Sequence, residues 1–535
     1  MEKVLTLSTL LIVTIGGLAR SEEFQINRTA YADRLHAFWL GQCIANWTGL
    51  KTENVRTEPP FFTDIDWGEA TDYVLDQNPW DADDDTDIEY IYQHAMETHG
   101  YKLTGKQIAE VWKAHISLPR LWVSNLAALG QMQNGALPPE TSLPENNPMW
   151  DMIDAQLTTE IFGTFAPGRP DVALDLSHLP IRTTAYLHSE WASEFYVIMH
   201  SLAPVADPKL SLKEQTQWLA EKARQRIPDW SYIADMYDFV KSEYEKNPDK
   251  EDWETTRDKV YQRYQKTATA GYNYRYSWDS GINFAASIIS LLYGEGNYKK
   301  TVRIASLCGW DADNPAATWG GLLGFMIGRK GIEEHFNKTD FSTGYRIART
   351  RRNMPIPTDD FKDMATRAIR LIDQIVVQEM GGRIDGNNWV IPNACSGIKK
   401  VAKEKTVPPW TIIEDTDKRW KYDGFKTQGR QWNASGATLT SGKGGSTAQI
   451  TFTGTAVQYY AYRDASSGSV TVYLNGNKKG TFSLKNREPQ YYVKIWEESG
   501  LTKGSHVLRI VADESNAPVT IDMLQVKKGE KTKGD

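Results

Sequence analysis

The chain has 535 residues, 40% hydrophobic and 24% charged, with a formal net charge of −7. Its length exceeds one ordinary domain, its composition excludes a disordered chain, and an acidic balance without clustered Lys or Arg excludes a nucleic-acid-binding surface. Nineteen Trp and 25 Tyr form an excess that suits stacking on sugar faces, although such rings also fill cores.

The N-terminus, "MEKVLTLSTLLIVTIGGLARSEEF", has a charged start, an apolar stretch and small residues before Arg20. It reads as a signal peptide over residues 1–21, which places the mature protein in the periplasm or outside the cell. The apolar run falls just short of a span, so a membrane anchor is the alternative reading. No Cys near the cleavage region offers a lipid attachment point, and no later segment is long and apolar enough to cross a bilayer. After cleavage, stable membrane insertion is not expected. Three cysteines, Cys43, Cys308 and Cys395, lack CxxC spacing and argue against a zinc site or a disulfide framework.

Between about residues 28 and 400 apolar residues recur at three- and four-residue spacings, as in "ADRLHAFWLGQCIANWTG", "SGINFAASIISLLYG" and "FKDMATRAIRLIDQIVVQEMGG". No strand alternation stands out, so residues 25–400 are read as an all-α domain. A charged, Pro-containing linker follows, "VAKEKTVPPW" at 401–410. Residues 411–528 then alternate in period two, with a hairpin turn at Asn475-Gly476, and predict an antiparallel β-sandwich of jelly-roll type. Residues 529–535 are a polar tail. Each half has its own core pattern, so the two are expected to fold separately. The sandwich resembles the carbohydrate-binding-like modules of secreted glycan enzymes, and a purely structural role is the other reading.

Two acidic stretches stand out in the helical half. In "GWDADNPAATWGG", 309–321, Asn314 suits an N-cap and Pro315 the first helical position, yet Asp311 and Asp313 crowd the same helix start. In "WDADDDTDIEYIYQ", 80–93, Thr86 and Glu89 have the spacing of a capping box, preceded by Asp83, Asp84 and Asp85 in a row. Adjacent carboxylates repel, and a hard divalent cation with its preference for oxygen ligands relieves that repulsion. Two such helix starts in one domain can converge on shared ions.

On these two motifs the chain resembles the ADP-ribosylglycohydrolase superfamily, an all-α fold with a two-metal centre, usually of Mg²⁺. The family's Thr-Asp-Asp-Thr is similar to Asp83-Asp84-Asp85-Thr86, and its Gly-Gly-Asp-x-Asp-Thr to Gly309-Trp310-Asp311-Ala312-Asp313-Asn314. The N-terminal "DRLHAFWLGQCIANWTGLKTE" keeps Asp33, Arg34, Gly41, Gly49 and Glu53, with Asn46 in place of the usual Asp. The resemblance implies Asp83, Asp84, Asp85, Asp311, Asp313 and Asn314 as ligands of two divalent ions, Mg²⁺ or Ca²⁺. It implies Glu53 as the catalytic carboxylate at the scissile bond; a solvated loop residue is the bland alternative. Trp47 and Trp310 flank these motifs, and His188 lies near a position that faces the cleft in relatives; all three are candidates for substrate contact, with burial the competing reading.

Three departures bear on substrate. Thr ligand positions are occupied by Asp83 and Asn314. The region similar to the family's Gly-rich pyrophosphate loop, "TTEIFGTFAPGRPDVALDL" at 158–176, lacks paired glycines and leaves Arg169 alone to meet a phosphate. The export signal and the sandwich point outside the cytoplasm. The expected function is a metal-dependent glycoside hydrolase, acting on a furanoside or another glycan linkage. The alternatives are an ADP-ribosyl-acceptor hydrolase and a non-catalytic glycan-binding protein with structural metals.

Overall fold

The computed structural model describes residues 23–118, 121–346, 350–406 and 408–529. The segment read as a signal peptide and most of the polar tail lie outside the described residues.

The helical half is built around the paired helices Arg28–Gly49 and Asp313–Phe336. Their backbones touch because the seam is made of glycine. A methyl group at Gly41 would overlap the Gly320 carbonyl, one at Gly324 would reach the Ala37 oxygen, and one at Gly49 would overlap Asp313 Cα. Phe38, Trp39, Leu40, Cys43 and Ile44 are fully buried around this pair, so from Leu35 onward the first helix has no exposed residue and little amphipathic contrast. Helices Asp84–His99, His188–Leu202, Ser280–Gly294, Tyr298–Leu307 and Phe361–Gln378 enclose it.

The helical half also contains short strands. Glu23–Asn27 pairs antiparallel with Asn388–Pro392, which pairs with Arg383–Asp385, and Gly344–Arg346 pairs with Thr358–Asp360. Strands of three to five residues carry too little alternation to register as period two, and the first of these sheets joins the two ends of the domain.

Both acidic helices start earlier than their capping signals predict. The first runs Asp84–His99 with Asp83 at the N-cap, and the second runs from Asp313 with Ala312 at the N-cap. Thr86 and Asn314 therefore lie inside their first turns. The reason is tertiary: the Asn314 amide donates to Asp85 Oδ1 at 3.3 Å, and Glu89 accepts from Gln42 Nε2 and the Ile161 amide instead of folding back on its own helix.

In the C-terminal half one antiparallel sheet runs in the order Asn477–Ser483, Ser469–Leu474, Gln490–Ala512, Thr447–Arg463, Met523–Lys527, Trp410–Glu414, with Lys421–Asp423 against Thr447–Arg463. A second holds Val519–Ile521, Thr438–Gly442 and Lys426–Gly429. The "VTIDMLQV" stretch divides between the two sheets at Asp522. Asn475 (φ 51°) and Gly476 (φ 82°) form the expected tight turn.

The halves are not separate bodies joined by a free tether. Tyr460, Tyr492 and Met523 of the sandwich are buried in the apolar cluster of the helical half. Polar contacts frame this face: Arg463 to Asn134 Oδ1 at 2.8 Å, Gln490 to Gln133 Oε1 at 2.9 Å, and Gln458 to the Glu145 carbonyl at 3.0 Å. The linker is itself docked, with the Val401 amide on the Arg226 carbonyl and Trp230 Nε1 on the Lys403 carbonyl. A chain truncated after residue 409 is therefore expected to melt at a lower temperature and to self-associate, because an apolar interface becomes exposed. Circular dichroism and size-exclusion chromatography check this; an unchanged, monomeric helical fragment would show that the interface adds nothing.

Candidate metal centre

Two turns bring the acidic helix starts together. Gly309 (φ 100°) and Trp310 (φ 58°) adopt left-handed backbone, which swings Asp311 and Asp313 round to the end of the first helix. A side chain at Gly309 would press on the Arg56 carbonyl and the Phe61 ring. After Gly49 the chain turns through Thr52, whose hydroxyl holds the Gly49 carbonyl, and the Asn54 amide donates to the Trp310 carbonyl at 2.8 Å. Glu53 is thereby carried to the edge of the same space.

The result is a cleft of about 370 Å³ lined by Glu53, Asp83, Asp84, Asp85, Asp154, Asp311 and Asp313, with Asn54, Val123, Ile153, Leu157 and the indoles of Trp122, Trp278 and Trp432. No Lys or Arg is among the described residues lining it. Carboxylate oxygens of Glu53, Asp83 and Asp313 lie within 4.8 Å of one another, as do those of Asp83, Asp84 and Asp85. Ligands on opposite sides of an ion stand about 4–5 Å apart, twice the Mg–O or Ca–O bond length, so both groups are cation-sized and Asp83 belongs to each. Asn46 sits at their centre, its amide nitrogen 3.1 Å from Asp83 Oδ1, 3.1 Å from Asp85 Oδ2 and 3.2 Å from Asp313 Oδ2.

The donor set fits hard divalent cations. Every candidate ligand is an oxygen, and neither His nor Cys is among the described lining residues. Asp313 Oδ1, Asn46 Oδ1 and Thr86 Oγ1 are buried without a hydrogen-bond partner, which leaves acceptor capacity beside the cluster.

Electrostatics agree with this. Burial, then the carboxylates of Asp83, Asp154 and Asp311, push Asp84 well above the usual carboxylate range. Burial and the neighbouring acids do the same to Asp85, Asp311 and Asp313. Asp154, held by Ser124 and the Asn125 amide, is raised to about 6 by burial. An acid that the fold holds neutral ionises at lower pH in the unfolded chain, so metal-free protein loses stability as pH rises from about 4 through these raised values. Chelated protein is expected to melt lower at about pH 8 than at about pH 5.5, and Mg²⁺ to raise the melting temperature more at the higher pH. A chelated protein that gains stability over this interval would contradict a crowded carboxylate cluster.

Of the residues singled out in the sequence, Glu53, Asp83, Asp84, Asp85, Asp311 and Asp313 line the cleft. Asn314 is not among the lining residues; its side-chain amide donates to Asp85 Oδ1 at 3.3 Å, beside the cluster. The three residues proposed for substrate contact do not line it. Trp310 is fully buried, its Nε1 on Gln265 Oε1 at 2.7 Å and its ring against Phe61. Trp47 packs against the core with its Nε1 on the Asp81 carbonyl. His188 is stacked on Tyr232 at 3.9 Å, bonded to Ser231, and faces a separate groove near Trp230. Burial lowers its pKa to about 3, so it is neutral.

The aromatic wall, Asp154 and the central position of Asn46 were not read from the sequence. Trp432 carried a usable signal: in "QGRQWNASG" an indole stands among polar and small residues that cannot bury it. Trp122 and Trp278 have ordinary neighbours and carry none.

The ADP-ribosylglycohydrolase family profile matches residues 27–368, which contain both acidic motifs and Glu53. No curated protein matches the chain by sequence. Among solved structures, an ADP-ribosylglycohydrolase-related protein complex is similar at 14% identity, covering 64% of this chain and 98% of its own, with a TM-score of 0.40. A family 35 carbohydrate binding module from Clostridium thermocellum is similar at 14% identity over 22% of this chain and 98% of its own (TM-score 0.19). The catalytic domain of Agl-KA is similar at 18% identity over 24% and 30% (TM-score 0.18). With the profile spanning well over half of the chain and the acidic cleft lying inside it, this protein belongs to the ADP-ribosylglycohydrolase family.

Proposed function

We propose that the chain is an exported, divalent-metal-dependent hydrolase that cleaves a glycosidic bond in a glycan outside the cytoplasm, with furanosides the first substrates to try. One observation carries the reading: two overlapping carboxylate groups of cation size open into a cleft walled by indole rings. Asp83, Asp311 and Asp313 would hold one ion, with Glu53 beside it, and Asp83, Asp84 and Asp85 the other, Mg²⁺ or Ca²⁺. When bound, such ions supply Lewis-acid polarisation and fix neighbouring sugar hydroxyls.

The chain's own groups do the remaining work. Glu53 stands at the cleft edge, with Asn54 Nδ2 donating to its Oε1 at 3.0 Å, and it accepts the proton of the attacking water. Val123, Ile153 and Leu157 form an apolar floor that limits bulk water around the reacting carbon. Asn46 keeps three carboxylates gathered while protons and substrate exchange.

ADP-ribose fits this site less well. Arg169 is committed to both oxygens of Asp171, at 2.9 and 2.6 Å, and to the Met380 carbonyl. The amides of Ile161, Gly163 and Gly168 are taken by the Glu89 carboxylate and the Glu160 and Ser201 carbonyls, so these three are not open to a pyrophosphate. The test is a panel of aryl furanosides and pyranosides, with and without EDTA, alongside an ADP-ribosylated peptide. Chelator-sensitive release of the aryl group is expected. Release of ADP-ribose in its place would overturn the substrate, and no turnover of either class would leave a binding protein.

A further inference from the structure

All nineteen tryptophans lie among the described residues, and two of them are exposed there, Trp122 at 37% and Trp432 at 56%. Both line the acidic cleft, although one belongs to the helical half and the other to the β-sandwich. An exposed indole is costly in water, and two meeting at one cleft point to a ligand with a flat apolar face.

The loop that presents Trp432 is held to the helical half by a dedicated set of bonds. Tyr276 Oη reaches Glu414, lies 3.1 Å from Ser435 Oγ and accepts the Gly436 amide at 3.2 Å. Ser435 is fixed in turn by its amide on Asp522 Oδ1 at 2.8 Å and its hydroxyl on Glu414 Oε1 at 3.0 Å. The Tyr276 ring stacks on Trp278, 5.7 Å between centroids and 16° from parallel, and Trp278 is the third indole of the cleft. One tyrosine thus ties the sandwich loop to the cleft wall.

We infer that Trp432 is a substrate-stacking residue of the catalytic cleft, so that the sandwich completes the active site rather than only tethering the enzyme to polymer. Its ligand is a sugar ring or an aromatic aglycone, held against the indole by its apolar face. This rests on the glycosidase reading above.

The experiment compares wild type, W432A, W432Y and the control Y473A, whose ring in the sandwich lies under Arg509 away from the cleft. All are assayed with the best aryl glycoside of the panel and loaded with Mg²⁺. Loss of a stacking contact is worth about 1 kcal/mol, so W432A should raise KM about fivefold with metal content and melting temperature unchanged. W432Y should recover most of the loss, and Y473A should match wild type. A W432A enzyme with wild-type KM and kcat overturns the inference and leaves the glycosidase reading standing. A wild-type enzyme that releases ADP-ribose instead overturns the glycosidase reading, and the same comparison on that substrate then decides the role of Trp432. Wild type inert towards both classes overturns both.

Discussion

Glu53→Gln is expected to lower kcat by about 10²–10⁴-fold while metal content and KM stay close to wild type. The substitution keeps the shape of the side chain and its bond from Asn54, and removes only the ability to accept a proton. Because Glu53 also lies within 4.8 Å of Asp83 and Asp313, elemental analysis must accompany the kinetics. Loss of metal together with activity would make Glu53 a ligand first. Full activity with full metal would remove it from the mechanism.

Asp84→Asn and Asp311→Asn are expected to abolish tight divalent binding and reduce activity to background, with effects on stability that change sign with the metal. In excess Mg²⁺ each variant should melt below wild type, because an ion bound only by the native state stabilises it. In EDTA each should melt above wild type, since one member of a buried, mutually repelling set has lost its charge. Differential scanning calorimetry in the two buffers reads both signs. A variant that melts lower in both would have been damaged by packing, and one that binds metal normally would end the reading of the cluster as a metal centre.

The acidic residues were legible in the sequence because they break a local rule. A helix start needs one capping side chain, and three carboxylates in a row exceed any local requirement, so their cause had to be tertiary. The helix boundaries were misplaced for the same reason: Thr86 and Asn314 look like caps, but the cleft uses side chains that would otherwise serve their own helix. Trp47, Trp310 and His188 show the converse. Closeness in sequence to a metal motif does not decide which way a ring points, and at Trp310 the left-handed backbone that delivers Asp311 turns the indole inward. The contribution of the sandwich to the cleft depends on docking across the chain, for which no local pattern exists. Its only trace was an indole in a polar loop.

The glycine seam has a consequence for how such a protein can change. Between the helix that leads to Glu53 and the helix that begins at Asp313, backbone lies on backbone at Gly41, Gly320 and Gly324, and again where Gly49 meets Asp313. No side chain there can be exchanged to widen or narrow the gap; any replacement adds atoms where none fit and shifts a carboxylate that must stay within ångströms of its neighbours. Variation is therefore partitioned. The spacing of the acids is locked in main chain, whereas the rings at the rim sit on loops that accept a larger, smaller or more polar group without moving that main chain. A lineage of such proteins can change what its rim accepts while the spacing of its acids stays fixed.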